Sequence, residues 1–204
     1  MGMPLRFPIL AVFAFSILSL AGTLAPADPI RMPTVDYQAT ATIYGGLTMV
    51  HRHSNGKLRV EMQVPGMPQA SISLIDLRAR KIVTMVSVPG MGIMAMEADF
   101  GDESKYGVVI GEGKRLGPAS VAGEPCVIWE VEAKDKKGRG HTGVACLTRD
   151  SIALRMEATI KGKREKIFEV TELKRGSQDP KLFALPPDVQ VMKMPKNMRD
   201  LLRQ

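Results

Sequence analysis

The stretch from Glu124 to Thr148, EPCVIWEVEAKDKKGRGHTGVACLT, constrains this chain most, because it holds both cysteines, the single Trp and the clearest two-residue alternation. It reads as a β-hairpin. A loop centred on Asp135, Lys136 and Lys137, with Gly138 available for a left-handed position, sets Cys126 directly opposite Cys146. That register permits a cross-strand disulfide, which needs Cβ atoms about 3.8 Å apart. The same register places Trp129 against Gly143. It also puts Val127, Trp129 and Val131 on one face with Ala145 and Leu147, so that large side chains meet small ones.

The chain opens with one charge, Arg6, followed by an apolar run from Ile9 to Leu20 broken only by serines, and then by small residues and prolines. This is the pattern of a secretory signal peptide, too short to span a bilayer as a helix. Sites of the Ala-x-Ala type end at Ala21, Ala25 or Ala27, and Ala27 is favoured, giving a leader of residues 1–27. The expected product is a periplasmic chain with no integral membrane segment. Two cysteines in an exported protein favour a disulfide, with two buried free thiols as the alternative. About 177 residues then remain, 28–204, the size of one domain with its own core. The formal charge of +7 is spread along the chain, with its densest run from Lys161 to Lys166. Glu165, Glu169 and Glu172 interrupt that run, which favours a solvated strand edge over a patch for anionic lipid or nucleic acid. No nucleic-acid partner is expected.

Strand alternation recurs throughout. Val35 to Ile43 alternates, Gly45 and Gly46 turn the chain into Leu47 to His53, and Ser54, Asn55 and Gly56 form a hairpin signal before Lys57 to Val64. In that last strand Leu58, Val60, Met62 and Val64 face inward. Ala70 to Leu77 and Lys81 to Val88 are apolar on more than one face, as central or doubly covered strands are. Pro89 to Gly113 interleaves Gly and Met and reads as a loop, a short helix or a flap, with strand regained over Tyr106 to Ile110. Ser151 to Ile160 carries Ile152, Leu154, Met156, Ala158 and Ile160 on one face, and Lys163 to Leu173 follows. Asp179 to Phe183 predicts a short helical turn, then an extended piece, then a helix over Pro195 to Gln204.

The fold class is therefore mainly β: a single curved antiparallel sheet, a half-open barrel of about 9–11 strands with a few short helices. Curling creates a concave face. Left unfilled, it holds an apolar ligand, lined by Leu58, Val60, Met62, Val127, Trp129, Leu154 and Met156. Aromatics are only 5% of residues while Met numbers 14, so this lining is flexible and polarizable rather than ring-rich.

The ordered phrases GKLRVEM, ISLIDLRARKIVTM, LGPASVAGEPCVIWEVEA, GVACLTRDSIALRMEA and DPKLFALPPDV, behind a signal peptide, carry a family likeness. In this order the chain resembles the periplasmic lipoprotein-carrier superfamily of LolA, LolB and RseB-like half barrels, and within it a small family of unknown function. The resemblance implies a curved antiparallel sheet of about eleven strands around short helices, with an apolar cavity that in the carriers shelters acyl chains.

Catalytic signatures are lacking. No Gly-x-Ser-x-Gly elbow occurs, the cysteines are expected to be oxidised, and only His51, His53 and His141 offer an imidazole base. Gly111 to Gly113 has no following Lys and Ser or Thr with which to cradle phosphate. No catalytic residue and no cofactor is assigned, and the chain is read as no enzyme. His51 and His53 share one face of a strand and read as solvent-facing, since a metal site would need a third ligand. Asp76 reads as a turn residue or a strand-end Asp. Three functions remain. The first is a periplasmic binding or carrier protein for a lipid, a lipoprotein acyl chain or another apolar ligand. The second is a copper or silver binder using the thioethers of Met91, Met94 and Met96 with Met192, Met194 and Met198. The third is an envelope-stress sensor or interaction module that engages a protein partner through the 89–113 segment or the tail.

Overall fold

The computed structural model describes residues 27–63, 65, 66, 69–99, 106–134, 140–160 and 162–193. The leader, Val64, Met194, Met198 and the helix expected over 195–204 lie outside these residues, apart from Ala27.

Thirteen strands form one curved, unclosed sheet in the order β1-β8-β9-β10-β11-β12-β2-β3-β4-β5-β6-β7-β13. Two meanders build it. The first comprises β2 (Tyr37–Ile43), β3 (Thr48–Ser54), β4 (Lys57–Met62), β5 (Ser71–Asp76), β6 (Lys81–Val88) and β7 (Gly92–Asp99). The second comprises β8 (Gly111–Val121), β9 (Glu124–Lys134), β10 (Gly140–Leu147), β11 (Ala153–Ile160) and β12 (Lys163–Arg175). Pairing of β12 with β2 joins them. Short strands β1 (Asp28–Ile30) and β13 (Val191–Lys193) close part of each outer edge, and β13 is parallel to β7. The strand count exceeds the expected 9–11 because 92–99, read as loop or flap, is a full strand, and the two edge strands are too short to show alternation. Tyr106 to Ile110 is not strand, and β8 begins at Gly111. The one helical element besides the turn at Tyr106, among the described residues, is the 3-10 turn Pro180–Phe183, capped by the Asp179 carboxylate accepting from Lys181 N–H at 2.9 Å.

Local chemistry explains the turns. Asn55 and Gly56 both have positive φ (48° and 77°), as a two-residue hairpin turn requires. Asp76 ends β5 and caps the following turn, its Oδ1 accepting from the N–H of Arg78 and of Ala79.

Register shifts are concentrated in the second half. The ladders from β2 to β7 run without a register shift. Those of β8 to β12 and the β12–β2 seam contain four, near Leu116, Leu154, Ile167 and Thr171. Each extra residue bends its strand and increases the local twist. The Leu154 bulge also breaks the single-face alternation expected for Ile152 to Ile160, so Ala153 is buried alongside Ile152 and Leu154. At the end of β12, Arg175 donates to Glu124 of the β8–β9 turn at 2.9 Å and to Asp150 of the β10–β11 turn at 2.7 Å, clipping the curled end. The basic run at the start of β12 lies in a central strand rather than at an edge. Two of its charges are paired, Arg164 with Glu157 at 3.4 Å and Lys166 with Glu169.

The hairpin register differs from the expected one. Cys146 faces Ile128, and Trp129 faces Ala145 rather than Gly143. The ladder begins with Lys134 opposite Gly140, so its centre lies at position 137, one residue beyond the expected one, which moves every pair by two. Val127, Trp129 and Val131 still share a face with Ala145 and Leu147. The disulfide forms along a diagonal, because Cys126 sits just past the last ladder pair, where its Cα comes within 5.5 Å of that of Cys146. Alternation places the disulfide on the face opposite Trp129.

The core lies on the face bearing Tyr37, Ala39, Ala41, Met49, His51, Leu58, Val60, Ile75, Trp129, Met156 and Phe168. Chain crossings cover it. Residues 28–36 run from the β8 edge to β2 and contribute Ile30, Met32 and Val35, and Tyr106, Val108 and Val109 pack against the same cluster. On the other face, Met85 of β6, one of the strands that read as doubly covered, is buried with Ala95 of β7. The C-terminal segment crosses that face, held where Arg59 Nη1 donates to the Leu182 carbonyl at 3.1 Å.

Gly107 has φ +75°, and a Cβ there would lie 2.7 Å from Phe168 Cε2 and 3.2 Å from His51 Cε1. Gly90 has a similar φ of +79° with open space around it. Urea unfolding of Gly107→Ala should therefore show about 1–3 kcal/mol more destabilisation than Gly90→Ala, the cost of overpacking beyond backbone strain. Equal losses would mean that the crossing segment is not pressed onto the core. The disulfide closes a loop with a sequence separation of 20. Replacing both cysteines with Ala should lower stability by about 3 kcal/mol in thermal unfolding, matched by adding reductant to the native chain.

Candidate functional site

A groove of about 720 Å³ lies at the end of the sheet where 31–36 passes the β3–β4 and β5–β6 turns. Arg31, Met32, Pro33, Thr34 and Asp36 line one side, with Ile110 next to them where Gly111 pairs with Ile30, and His53, Asn55, Gly56 and Arg78 of the two turns complete the lining. The lining thus includes two arginines and a single carboxylate residue. That carboxylate is already engaged, since Asp36 Oδ2 accepts from Ser54 Oγ at 2.9 Å. Arg78 is positioned by donating from Nη2 to Asn55 Oδ1 at 3.0 Å. Met32, Pro33 and Ile110 supply the apolar surface, and Ile110 is 39% exposed. The arrangement suits an apolar molecule bearing an anionic group.

His53 belongs both to the groove and to a buried ring cluster behind it. Its ring stacks on Tyr37 at 5.5 Å, Tyr37 meets His51 edge-on at 5.4 Å, and His51 meets Phe168 edge-on at 5.5 Å. The histidines are not solvent-facing. Met49, His51 and His53 alternate onto the core face of β3, and both imidazoles are buried. The neutral rings pack as apolar plates, which alternation alone did not distinguish from exposed ones.

The two histidines differ in satisfaction. His53 Nε2 accepts from Gly56 N–H at 3.1 Å, so its Nδ1 carries the proton and donates to the Val35 carbonyl at 2.8 Å. Neither ring nitrogen of His51, nor the Tyr37 hydroxyl, has a hydrogen-bond partner among the described residues. Burial, reinforced by the neighbouring His53, pushes the His51 imidazole down to about 4. Burial also lowers His53, against the Val35 hydrogen bond and Asp36, and raises Tyr37 with help from Asp150. For Asp150, burial opposes ionisation, but hydrogen bonds from Arg175 and Thr148 outweigh it and hold the carboxyl below its usual range.

The expected lining residues occupy different ground. Leu58, Val60, Trp129, Leu154 and Met156 are buried members of the main core, Val127 packs partly buried against it, and Met62 is half-buried on the core face of β4. None of the seven lines the groove. The groove residues Arg31 and Arg78 lie on a connecting segment and a turn, where no periodicity marks them in the sequence. Met94 and Met96 share a face of β7, whereas Met91 lies in the β6–β7 turn. Among the described residues no three His, Cys, Asp or Glu side chains cluster as metal ligands, and no helix is long and apolar enough to cross a membrane.

No known family pattern and no curated protein sequence matches the chain. Among solved structures, an uncharacterized conserved protein from Thermus thermophilus superposes with a TM-score of 0.51 at 17% identity, over 78% of this chain and 91% of that one. PNGF-II gives 0.47 at 10% identity over 82% of this chain and 32% of its own length. A chain of the Pseudomonas aeruginosa MucA/MucB complex gives 0.45 at 18% identity, over 79% and 59%. The Thermus likeness shows the fold, a curved sheet of this kind, and at such identity nothing of the activity.

His51 yields a pH signature. Neutral in the folded chain down to about pH 4 and titrating near 6.5 when unfolded, it withholds no stability above pH 6.5. Stability falls as pH drops from about 6.5 towards 4, by about 3 kcal/mol for this residue. Denaturant unfolding across that window should show a shallower decline for His51→Leu, together with a gain of about 1–3 kcal/mol at neutral pH from removing unsatisfied buried nitrogens. Parallel curves for the two chains would contradict the burial of an unpartnered imidazole.

Proposed function

We propose that this chain is a non-catalytic binding protein of the periplasm whose groove accommodates an apolar ligand with an anionic group. A lipid or an acyl chain with an acidic head is the class that fits. The observation that carries this reading is the groove itself: two arginines flank it, its one carboxylate is tied to Ser54, and Met32, Pro33 and Ile110 supply apolar contact. Buried surface on the ligand's chain would provide the driving force, and the guanidinium pair would orient the head. The core beneath is filled by Tyr37, Met49, Leu58 and Phe168. A ligand seated against this rim needs no opening of the sheet, which sets the groove apart from an internal container.

The role of the ring cluster in this reading is mechanical. His53 ties the β3–β4 turn to the 31–36 wall through Val35 and Gly56. The two sides of the groove are thereby held at a set separation, so less ordering is required when a ligand binds.

Displacement of a fluorescent long-chain carboxylate from the purified full chain tests the proposal. Saturable binding is expected, with a loss of about tenfold or more in affinity for the Arg31→Glu, Arg78→Glu double variant, and weaker binding of the matching neutral alcohol. Binding that is absent, or indifferent to both arginines and to the ligand's charge, would overturn it.

A further inference from the structure

Three methionines occupy neighbouring ladder positions at the far margin of the sheet, away from the groove. Met94 and Met96 alternate onto the same face of β7, with Val86 and Thr84 as their partners on β6. On the other side of β7, the parallel strand β13 sets Met192 in register with Met96. Neighbouring strands are about 4.8 Å apart and alternate residues on one strand about 6.6 Å apart, so unbranched side chains from these three positions can converge on one point.

Their exposure separates them from packing methionines. Met49, Met85 and Met156 are buried at 0%, 4% and 3% exposure, as core fillers are. Met192 is 46% exposed, and Met94 and Met96 are half-buried. The chain thus places thioethers at a solvent-accessible margin, where their apolar packing value is smallest. The immediate ladder partners on this face, Thr84 and Val86, supply neither carboxylate nor imidazole. Cys126 and Cys146 are joined to each other, so no thiolate competes.

We infer that Met94, Met96 and Met192 form a thioether site for a soft monovalent cation, copper(I) or silver(I), at the β7–β13 margin. Soft, neutral sulfur ligands favour these ions over hard divalent cations. The site arises only when the C-terminal strand is docked, because Met192 comes to β7 from a segment nearly a hundred residues away in sequence. Cation binding therefore fastens β13 to the sheet edge, as any ligand specific to the folded state does.

The test is anaerobic competition of the purified full chain against bicinchoninate-buffered copper(I). The wild-type chain should withdraw one equivalent, and Met94→Leu, Met96→Leu, Met192→Leu combined should weaken binding about tenfold or more. Leucine conserves volume, and an unchanged melting curve for the metal-free variant shows that the fold is retained. In a parallel measurement with silver(I), methyl resonances of these three methionines should shift while those of Met49, Met85 and Met156 stay in place. Failure to compete with bicinchoninate, equal binding by the triple variant, or equal binding of zinc(II) would overturn the inference. Because the groove lies elsewhere and uses none of these residues, its ligand binding should be unchanged in the triple variant.

Discussion

The antiparallel seam between β12 and β2 is the contact on which the remaining architecture depends. Each meander alone is a run of hairpins with two open edges; the seam makes them one sheet and decides which ends lie far apart. It places β7 and β8, consecutive in sequence, at opposite margins. Residues after β7 must therefore return to the other margin, and Gly107 marks where the described part of that return presses onto Phe168 and His51. The same constraint sends residues 31–36 from β1 to β2 past the ends of intervening strands, where they become one wall of the groove. Both crossings cover apolar surface that a curved open sheet would otherwise leave in water.

Regular and bulged ladders divide between the two meanders. The first has uninterrupted ladders, and its second face is covered at Met85 and Ala95. The second carries bulges, and ion pairs cross its curled end. Arg175 joins two turns through Glu124 and Asp150, and Asp150 is further held by the Thr148 hydroxyl at 2.5 Å. These side chains are partly exposed, so the pairs owe their value to geometry and sharing rather than to a low dielectric. Bending a strand with an extra residue leaves backbone groups less regularly paired, and fastening the bent ends with side chains offsets that loss.

Polar groups in the core follow two regimes. His53 has both ring nitrogens engaged and so behaves as a bracket between a turn and a crossing segment. His51 and Tyr37 contribute rings to the packing while their polar atoms lack partners among the described residues. Burying such atoms costs stability, and retaining them makes this region the most acid-sensitive part of the core.

The sequence by itself determined the class of fold and most strand positions, because side-chain alternation and turn residues act locally. Leu58, Val60 and Met62 on one face of β4, Asn55 and Gly56 in a tight hairpin, and Asp179 capping a helical turn all follow from neighbours a few positions away. The pairing of Cys126 with Cys146 was also legible, although the register around it shifted, since a loop centre displaced by one residue moves each pair by two. Only the tertiary structure decided which face is covered and what lies beside what. Exposure of His51 and His53 turned on segments distant in the chain, β7 was hidden by its Gly and Met content, and the groove's arginines come from a connection and a turn. Met96 and Met192 became neighbours through a parallel edge pairing that no local pattern encodes. Period-two alternation states that two faces differ; long-range packing alone chooses which one meets water.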